Sequence, residues 1–306
     1  MAPRVGLVGC GLWGRHILRD LRALGCEVPV VARSDASVGR AREGGASSEV
    51  ASIPELGSVD GVVIATPEVA HAAHVREALE LGSPVFCEKP LTVDPASAAE
   101  LARLAPDSLF VMDKWRYHPG TEALRDLAAS GELGEPMGLR TVRLGWGSAH
   151  ETSDSSWHLL PHDLSIALEV LGRVPEPVAA SAEVVNGKVH GLVGLLGRSP
   201  WLAVEVSSAS PERRREVHLA CEGGIAWLPG PDAPAVGVAK EPGVEPEWRQ
   251  IGDGMPLLAE LRAFVEHLGG GPPPRSSAAE GAANVATVGR LRELAGLPAA
   301  SPETAP

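Results

Sequence analysis

Val5-Gly6-Leu7-Val8-Gly9-Cys10-Gly11-Leu12-Trp13-Gly14 opens the chain with a short apolar run that ends in G-x-G-x-x-G. Val5 to Val8 reads as a strand, and beyond the glycines Ile17, Leu18, Leu21 and Leu24 recur at helical spacing. A glycine triplet between a strand and a helix is a phosphate-binding turn. Gly9 permits the tight turn, Gly11 lets the backbone approach a pyrophosphate, and Gly14 lets helix and strand come close. The helix N-terminus then offers unpaired N–H groups and a partial positive charge to the phosphates. Leu12 and Trp13, between the second and third glycines, are expected on the same ligand, a dinucleotide.

The next strand, Val28 to Val31, carries the specificity position at its end. An acid there would hold the ribose 2′-hydroxyl of NAD. The chain instead reads Arg33-Ser34, and a guanidinium fork with a hydroxyl suits a 2′-phosphate. NADP(H) is therefore favoured as cofactor, with NAD(H) possible if Asp35 supplies the acid after a slip of one or two residues.

Further out, Val59 to Ala65 is an uninterrupted apolar strand, as in a parallel sheet covered on both faces. Val69 to Leu81 reads as a helix, Val85 to Cys87 as a strand, Ala96 to Leu104 as a helix and Leu109 to Met112 as a strand. This alternation predicts an α/β fold with a doubly wound parallel sheet over residues 1–118. Beyond it the rhythm changes. Helices are expected over Gly120 to Ala129 and His158 to Leu171, then strands over Val178–Val185, Val189–Leu196, Trp201–Ser207, Glu216–Cys221 and Ile225–Leu228. Successive strands predict a large open, mostly antiparallel sheet in an α+β domain, residues 119–306. Its free face must be covered, by another subunit. Two helical patterns, Leu257 to Leu268 and Ala278 to Leu294, flank a Gly/Pro turn at residues 269–274, and the tail after Leu297 is expected to fray.

Composition narrows the classes. The 306 residues carry 27 basic and 39 acidic side chains, a net charge of −12, so no nucleic-acid partner is expected. The one basic run, Arg213-Arg214-Arg215, reads as a solvated loop or strand end. No apolar run approaches the roughly 20 residues that cross a bilayer, so no membrane partner is expected. Four scattered cysteines and the absence of a leader segment before the first strand point to reduced thiols in a cytoplasm.

Cys87-Glu88-Lys89-Pro90-Leu91 follows the Val85–Cys87 strand, and ligands of such sheets bind beyond the carboxyl ends of the strands. Only 4 of the 27 basic residues are lysine, so a lysine at a strand end is a candidate for chemistry. Together with Gly9 to Gly14, further stretches complete a recurrent series: Thr66-Pro67 with His71, Glu88-Lys89-Pro90, Arg116-Tyr117-His118-Pro119, Gly131 to Pro136, and Trp157 to Asp163. In that order the chain resembles the glucose–fructose oxidoreductase/inositol dehydrogenase family of nicotinamide-dependent enzymes. The resemblance implies a Rossmann domain followed by a domain whose open sheet forms the oligomer interface, hence a homo-oligomer. It places Lys89 beside the nicotinamide, with Thr66, Pro67 and His71 bordering the cofactor and Glu88 helping to hold it, and it suggests a cis Lys89–Pro90 bond. Trp115 and Tyr117 could line the nicotinamide pocket or pack the domain boundary.

His158-Leu159-Leu160-Pro161-His162-Asp163 is the second chemical stretch. By resemblance His162 is the catalytic histidine, and His158 stands where an aspartate is usual. Pro161 is best tolerated in a first helical turn, which would set His162 near a helix N-terminus, where the dipole favours a neutral imidazole. Asp163 is expected to orient His162, cap the helix or touch substrate. Trp157 and Tyr117, with His158, are further candidates for the substrate pocket, and Trp146 could offer a face to a sugar ring. The two histidines have metal-ligand spacing, but no third ligand is placed, so no metal is expected. The reading is hydride exchange between nicotinamide and a cyclic polyol or ketosugar: a sugar, nucleotide-sugar or cyclitol. Lys89 and His162 are its catalytic pair, and biosynthetic ketoreduction is the favoured direction. The alternatives are a dinucleotide-binding sensor without catalysis, a reductase of C=N bonds, or cleavage of a glycosidic bond through transient oxidation.

Overall fold

The computed structural model describes residues 2–147, 154–186 and 188–300, so the end of the tail lies outside the described residues. The chain divides into two compact units. One runs to Lys114 and takes in Leu257–Val285; the other comprises Trp115–Pro256 and Ala286–Ala300.

The first unit is built on six parallel strands in the order β3-β2-β1-β4-β5-β6. They are β1 (Val5–Val8), β2 (Pro29–Val31), β3 (Ser48–Val50), β4 (Gly61–Ile64), β5 (Val85–Glu88) and β6 (Leu109–Met112). Helices α1 (Gly14–Ala23), α2 (Asp35–Glu43), α3 (His71–Leu79) and α4 (Pro95–Leu104) connect them. β1, β4, β5 and β6 are buried at every position, as their unbroken apolar runs dictate. The order reverses between β1 and β4, the switch point where such sheets bind ligands.

A division at 118/119 does not describe these units. Helix α7 (Pro256–Leu268) carries Leu257, Leu261 and Phe264 into the first unit's core, where Phe264 stacks on Phe86 at 4.9 Å between centroids. A Cβ on Gly61 would lie 2.9 Å or less from Phe264 and Leu268, so the bare glycine is what lets α7 approach β4.

The second unit holds eight strands in the order β14-β13-β12-β11-β7-β10-β9-β8. These are β7 (Pro136–Trp146), β8 (Pro177–Val185), β9 (Lys188–Leu196), β10 (Trp201–Ser207), β11 (Ala209–Cys221), β12 (Gly224–Leu228), β13 (Ala235–Ala239) and β14 (Glu247–Gln250). All pairings are antiparallel except β10 with β7. Helices α5 (Pro119–Ser130) and α6 (Ser155–Leu171) pack on each other and on the sheet. Val193 and Leu195 of β9 alternate with buried Leu192 and Leu196 and are each about half exposed (51% and 52%). Helix α8 (Ala278–Leu294) follows α7.

One expectation about α6 fails. The helix starts at Ser155, because Asp154 caps it by accepting from the Ser156 N–H at 3.0 Å and is itself held by the Arg292 guanidinium at 2.6 Å. Pro161 therefore lies inside the helix, and His162 stands two turns in, away from the dipole's positive end.

Candidate active site

Three neighbouring strands of the first unit deliver the predicted cofactor residues. The glycine loop follows β1, Thr66-Pro67 follows β4 and Lys89-Pro90 follows β5. Gly9 has φ +94°, and a Cβ there would sit 2.8 Å from the Ala65 carbonyl oxygen. A Cβ on Gly14 would lie 2.2 Å from the Gly9 carbonyl oxygen, whereas one on Gly11 would meet nothing within 4 Å. Two glycines thus serve chain packing and the middle one faces open space, the arrangement a pyrophosphate against bare backbone requires. The residues fit a nicotinamide dinucleotide.

Trp13 ties this loop to β5. Its indole N–H donates to the Glu88 carboxylate, and the Lys114 ammonium lies 4.1 Å from its ring centroid. Glu88 also accepts from the Lys89 backbone N–H at 3.1 Å, so one buried carboxylate links the loop's tryptophan to the lysine. Leu12 is 73% exposed at the loop apex. The Lys89–Pro90 bond is cis.

His71 does not reach outward to a ligand. It is buried, and its ring nitrogens lie 2.8 Å from the Pro90 carbonyl oxygen and 2.9 Å from that of Thr66. It staples the β4 and β5 loops from within. Burial pushes its pKa down, against the two carbonyls that favour the charged ring. Thr66 places its hydroxyl 3.0 Å from Nδ1 of His74.

At the end of β2, Arg33 is exposed, but the Ser34 side chain is already used. It accepts from the Ser37 N–H at 3.2 Å as the N-cap of α2, in a reciprocal capping box. Arg40, which the sequence reading missed, donates to the Cys10 carbonyl at 3.0 Å and so flanks the glycine loop with a cation. Its signal was available, since it lies on α2 two turns past Arg33. Also missed was Glu260 of α7, fully buried, whose carboxyl burial and the nearby charges of Glu88 and Asp113 push well above the ordinary range, with Lys114 opposing them.

In the second unit, His158 and His162 stand one turn apart on α6, His158 buried and His162 half-buried. Among the described residues no cluster of three His, Cys, Asp or Glu side chains could hold a metal ion. Asp163 neither caps α6 nor faces a pocket. It is 1% exposed and grips Arg143 of β7 through two hydrogen bonds, 2.9 and 3.2 Å, while burial drives its pKa up against that guanidinium. Trp157 is wholly buried beneath Arg292 and cannot touch a substrate; the exposed ring is Trp146, at 80%. Trp115 is 5% exposed, stacked on His118 at 4.8 Å with the Arg143 guanidinium 4.7 Å from its centroid, which leaves little ring for a cofactor. Tyr117 is half-buried at the end of a 3-10 turn.

Residues 3–109 match the model of an oxidoreductase family with an NAD-binding Rossmann fold, Gfo/Idh/MocA. The chain is 26% identical to an inositol 2-dehydrogenase of Burkholderia cenocepacia over 87% of its length and 86% of the relative's. It is 32% identical to an inositol 2-dehydrogenase of Leifsonia xyli over 70% of its length and 60% of the relative's. In fold it is similar to a UDP-N-acetylglucosamine 3-dehydrogenase of Acidithiobacillus ferrooxidans, with a TM-score of 0.83 at 22% identity, covering 96% of this chain and 98% of that one. With the glycine loop on β1, the Glu88-Lys89-Pro90 step on β5 and the switch point between β1 and β4, residues 3–109 form an NAD-binding Rossmann domain of the Gfo/Idh/MocA oxidoreductase family.

Proposed function

We propose that this protein exchanges hydride between a nicotinamide dinucleotide and a cyclic polyol or ketosugar, with ketoreduction as the working direction. The observation that carries the reading is the Trp13–Glu88–Lys89 connection. A buried carboxylate fixes the backbone of a half-buried lysine at the carboxyl end of the strand two places from the glycine loop. When bound, the nicotinamide supplies or receives the hydride. The backbone around Gly11 holds the pyrophosphate, and Arg33, supported by Arg40, favours the 2′-phosphate of NADP(H). In reduction the Lys89 ammonium donates a hydrogen bond to the substrate carbonyl oxygen and stabilises the charge that develops there. His162 delivers the proton that completes the hydroxyl; in oxidation it takes that proton away. Lys89 lies in the first unit of the chain and His162 in the second.

The inositol 2-dehydrogenase relatives favour cyclic polyols as the substrate class. We also place the protein in the cytoplasm, where four free, buried thiols stay reduced. Its oligomer forms through the exposed face of the eight-stranded sheet, where Val193, Leu195 and Ile225 are each about half exposed, at 51%, 52% and 48%.

A panel of cyclitols, aldoses and ketosugars followed at the nicotinamide absorbance, with both NADP(H) and NAD(H), tests the reading. Turnover with at least one member and tighter binding of NADP(H) are expected. Tight cofactor binding without any turnover would favour a sensor, and a clear preference for NAD(H) would remove the role of Arg33.

A further inference from the structure

We propose that the second unit carries an oxyanion-binding pocket over β7 and β11, and that the substrate is an acidic polyol or ketosugar bearing a carboxylate or a phosphate. This rests on the oxidoreductase reading above and narrows its substrate class.

The pocket has a volume of about 280 Å³. Among the described residues it is lined by Arg143, Arg213 and Arg215, the buried His158, and Ser155, Ser207 and Ser208, with no Asp or Glu in that lining. The arginine triplet, read from sequence as a solvated loop or strand end, lies within β11, with Arg213 and Arg214 exposed and Arg215 half-buried. Strand alternation separates its members. Arg214 turns to the opposite face of the sheet, where it forms a two-pronged pair with Glu216, both bonds 2.9 Å. Arg213 and Arg215 are left on the pocket side. Between the Ala209–Trp146 and Arg214–Leu144 pairs, β11 advances five residues while β7 advances two, an irregularity of the kind that re-aims side chains next to functional sites.

Charge balance argues for an occupant. Arg215 lies directly opposite Arg143 across the β7–β11 ladder, and like charges so placed repel. Asp163 accepts from the Arg143 guanidinium with both of its oxygens. Among the described residues neither Arg213 nor Arg215 has a carboxylate within ion-pair distance, and the buried Nε–H of Arg215 makes no hydrogen bond. Burial and the charges of Arg143 and Arg213 press the Arg215 pKa down, with Asp163 and Asp232 opposing. Exposed Arg213 and half-buried Arg215 thus present two guanidinium forks without a carboxylate partner among the described residues, a match for the planar, bidentate geometry of a carboxylate or phosphate. Trp146 lines the same pocket and is 80% exposed, which offers a face to the apolar side of a sugar ring.

The test is calorimetric titration and turnover of the full-length protein in chloride buffer, free of phosphate and sulfate. Its variants are the double substitution Arg213→Gln/Arg215→Gln and the control Arg214→Gln. The probes are a neutral hexose, a hexuronate, a hexose phosphate and inorganic phosphate. The wild type should bind at least one oxyanion probe. The double variant should weaken that binding about 10- to 100-fold, the scale of losing charge-assisted bonds, while the control leaves it unchanged. Hexuronate against hexose phosphate tells which oxyanion the pocket takes. Arg215→Lys, which keeps the charge but not the fork, should bind at an intermediate level and covers the case in which the double variant does not fold. Binding of no oxyanion probe, or binding equal in wild type and Arg213→Gln/Arg215→Gln, overturns the proposal. So does turnover of neutral sugars as efficient as that of acidic ones. Oxyanion binding that depends on the two arginines without turnover of any sugar upholds the pocket and contradicts the dehydrogenase reading instead.

Discussion

Glu260 is a fully buried acid with no assigned place in the sequence reading, yet it lies within the charge field of Glu88. Its carboxyl is held well above the ordinary value of 4.5, first by burial and then by Glu88, with Lys114 pulling the other way. Below pH 4.5 folded and unfolded chains both carry the proton, and the group costs nothing. As pH rises, the unfolded chain releases its proton while the folded chain keeps it, so stability is lost with rising pH. Glu260→Gln removes that dependence. Its melting temperature relative to wild type should climb as the pH goes from about 4.5 towards neutrality; a difference that stays flat across that range contradicts the protonated carboxyl. His71 shows the same limit of sequence reading. Its position predicted cofactor contact, whereas its two nitrogens are spent on the Thr66 and Pro90 carbonyls, because a single sequence does not reveal which way a ring points.

At the scale of elements, α6 depends on its cap. Asp154 accepts from the helix and receives the buried Arg292, which also donates to Ser156 at 2.6 Å. Asp154→Ala removes the cap and leaves Arg292 without its carboxylate, and should cost about 2–4 kcal/mol in urea unfolding. Asp154→Asn, which keeps an acceptor for the helix, should recover part of this. Equal stability of Asp154→Ala and wild type would show that the cap carries no load. The start of this helix was misread because Pro161 is the strongest local punctuation in the stretch, and tertiary support from Arg292 overrides it. Strand β7 escaped the sequence reading for another reason. Its Met137-Gly138-Leu139-Arg140-Thr141 and Arg143-Leu144-Gly145 steps break regular alternation, although it is central to the second sheet. Helix α2 was equally hidden, since only Ser37 and Ala41 of it are buried. The continuous apolar runs of β1, β4, β5 and β6 were legible, since a strand covered on both faces writes its burial into every position.

Across the whole molecule, the glycine loop and the lysine step were readable because chemistry at strand ends needs particular residue types. The oxyanion pocket was not, because Arg143 and Arg215 are 72 residues apart and meet only through strand register. The sheet's exposed face is likewise a property of the assembled unit. Val193→Glu with Leu195→Glu should shift the sedimenting species to monomer with the fold intact, as a charged pair on an apolar interface requires. An unchanged association state would remove that face from the assembly.

The central claim is that the amine of Lys89, whose backbone N–H is held by Glu88, performs chemistry rather than binding the dinucleotide. Steady-state turnover and dinucleotide affinity of Lys89→Ala, measured side by side, test it most directly. Turnover should fall by at least about 100-fold, the scale of losing a key polar catalytic group, with the dissociation constant of the cofactor little changed. Turnover equal to wild type, or a loss wholly explained by failure to bind the cofactor, would contradict it.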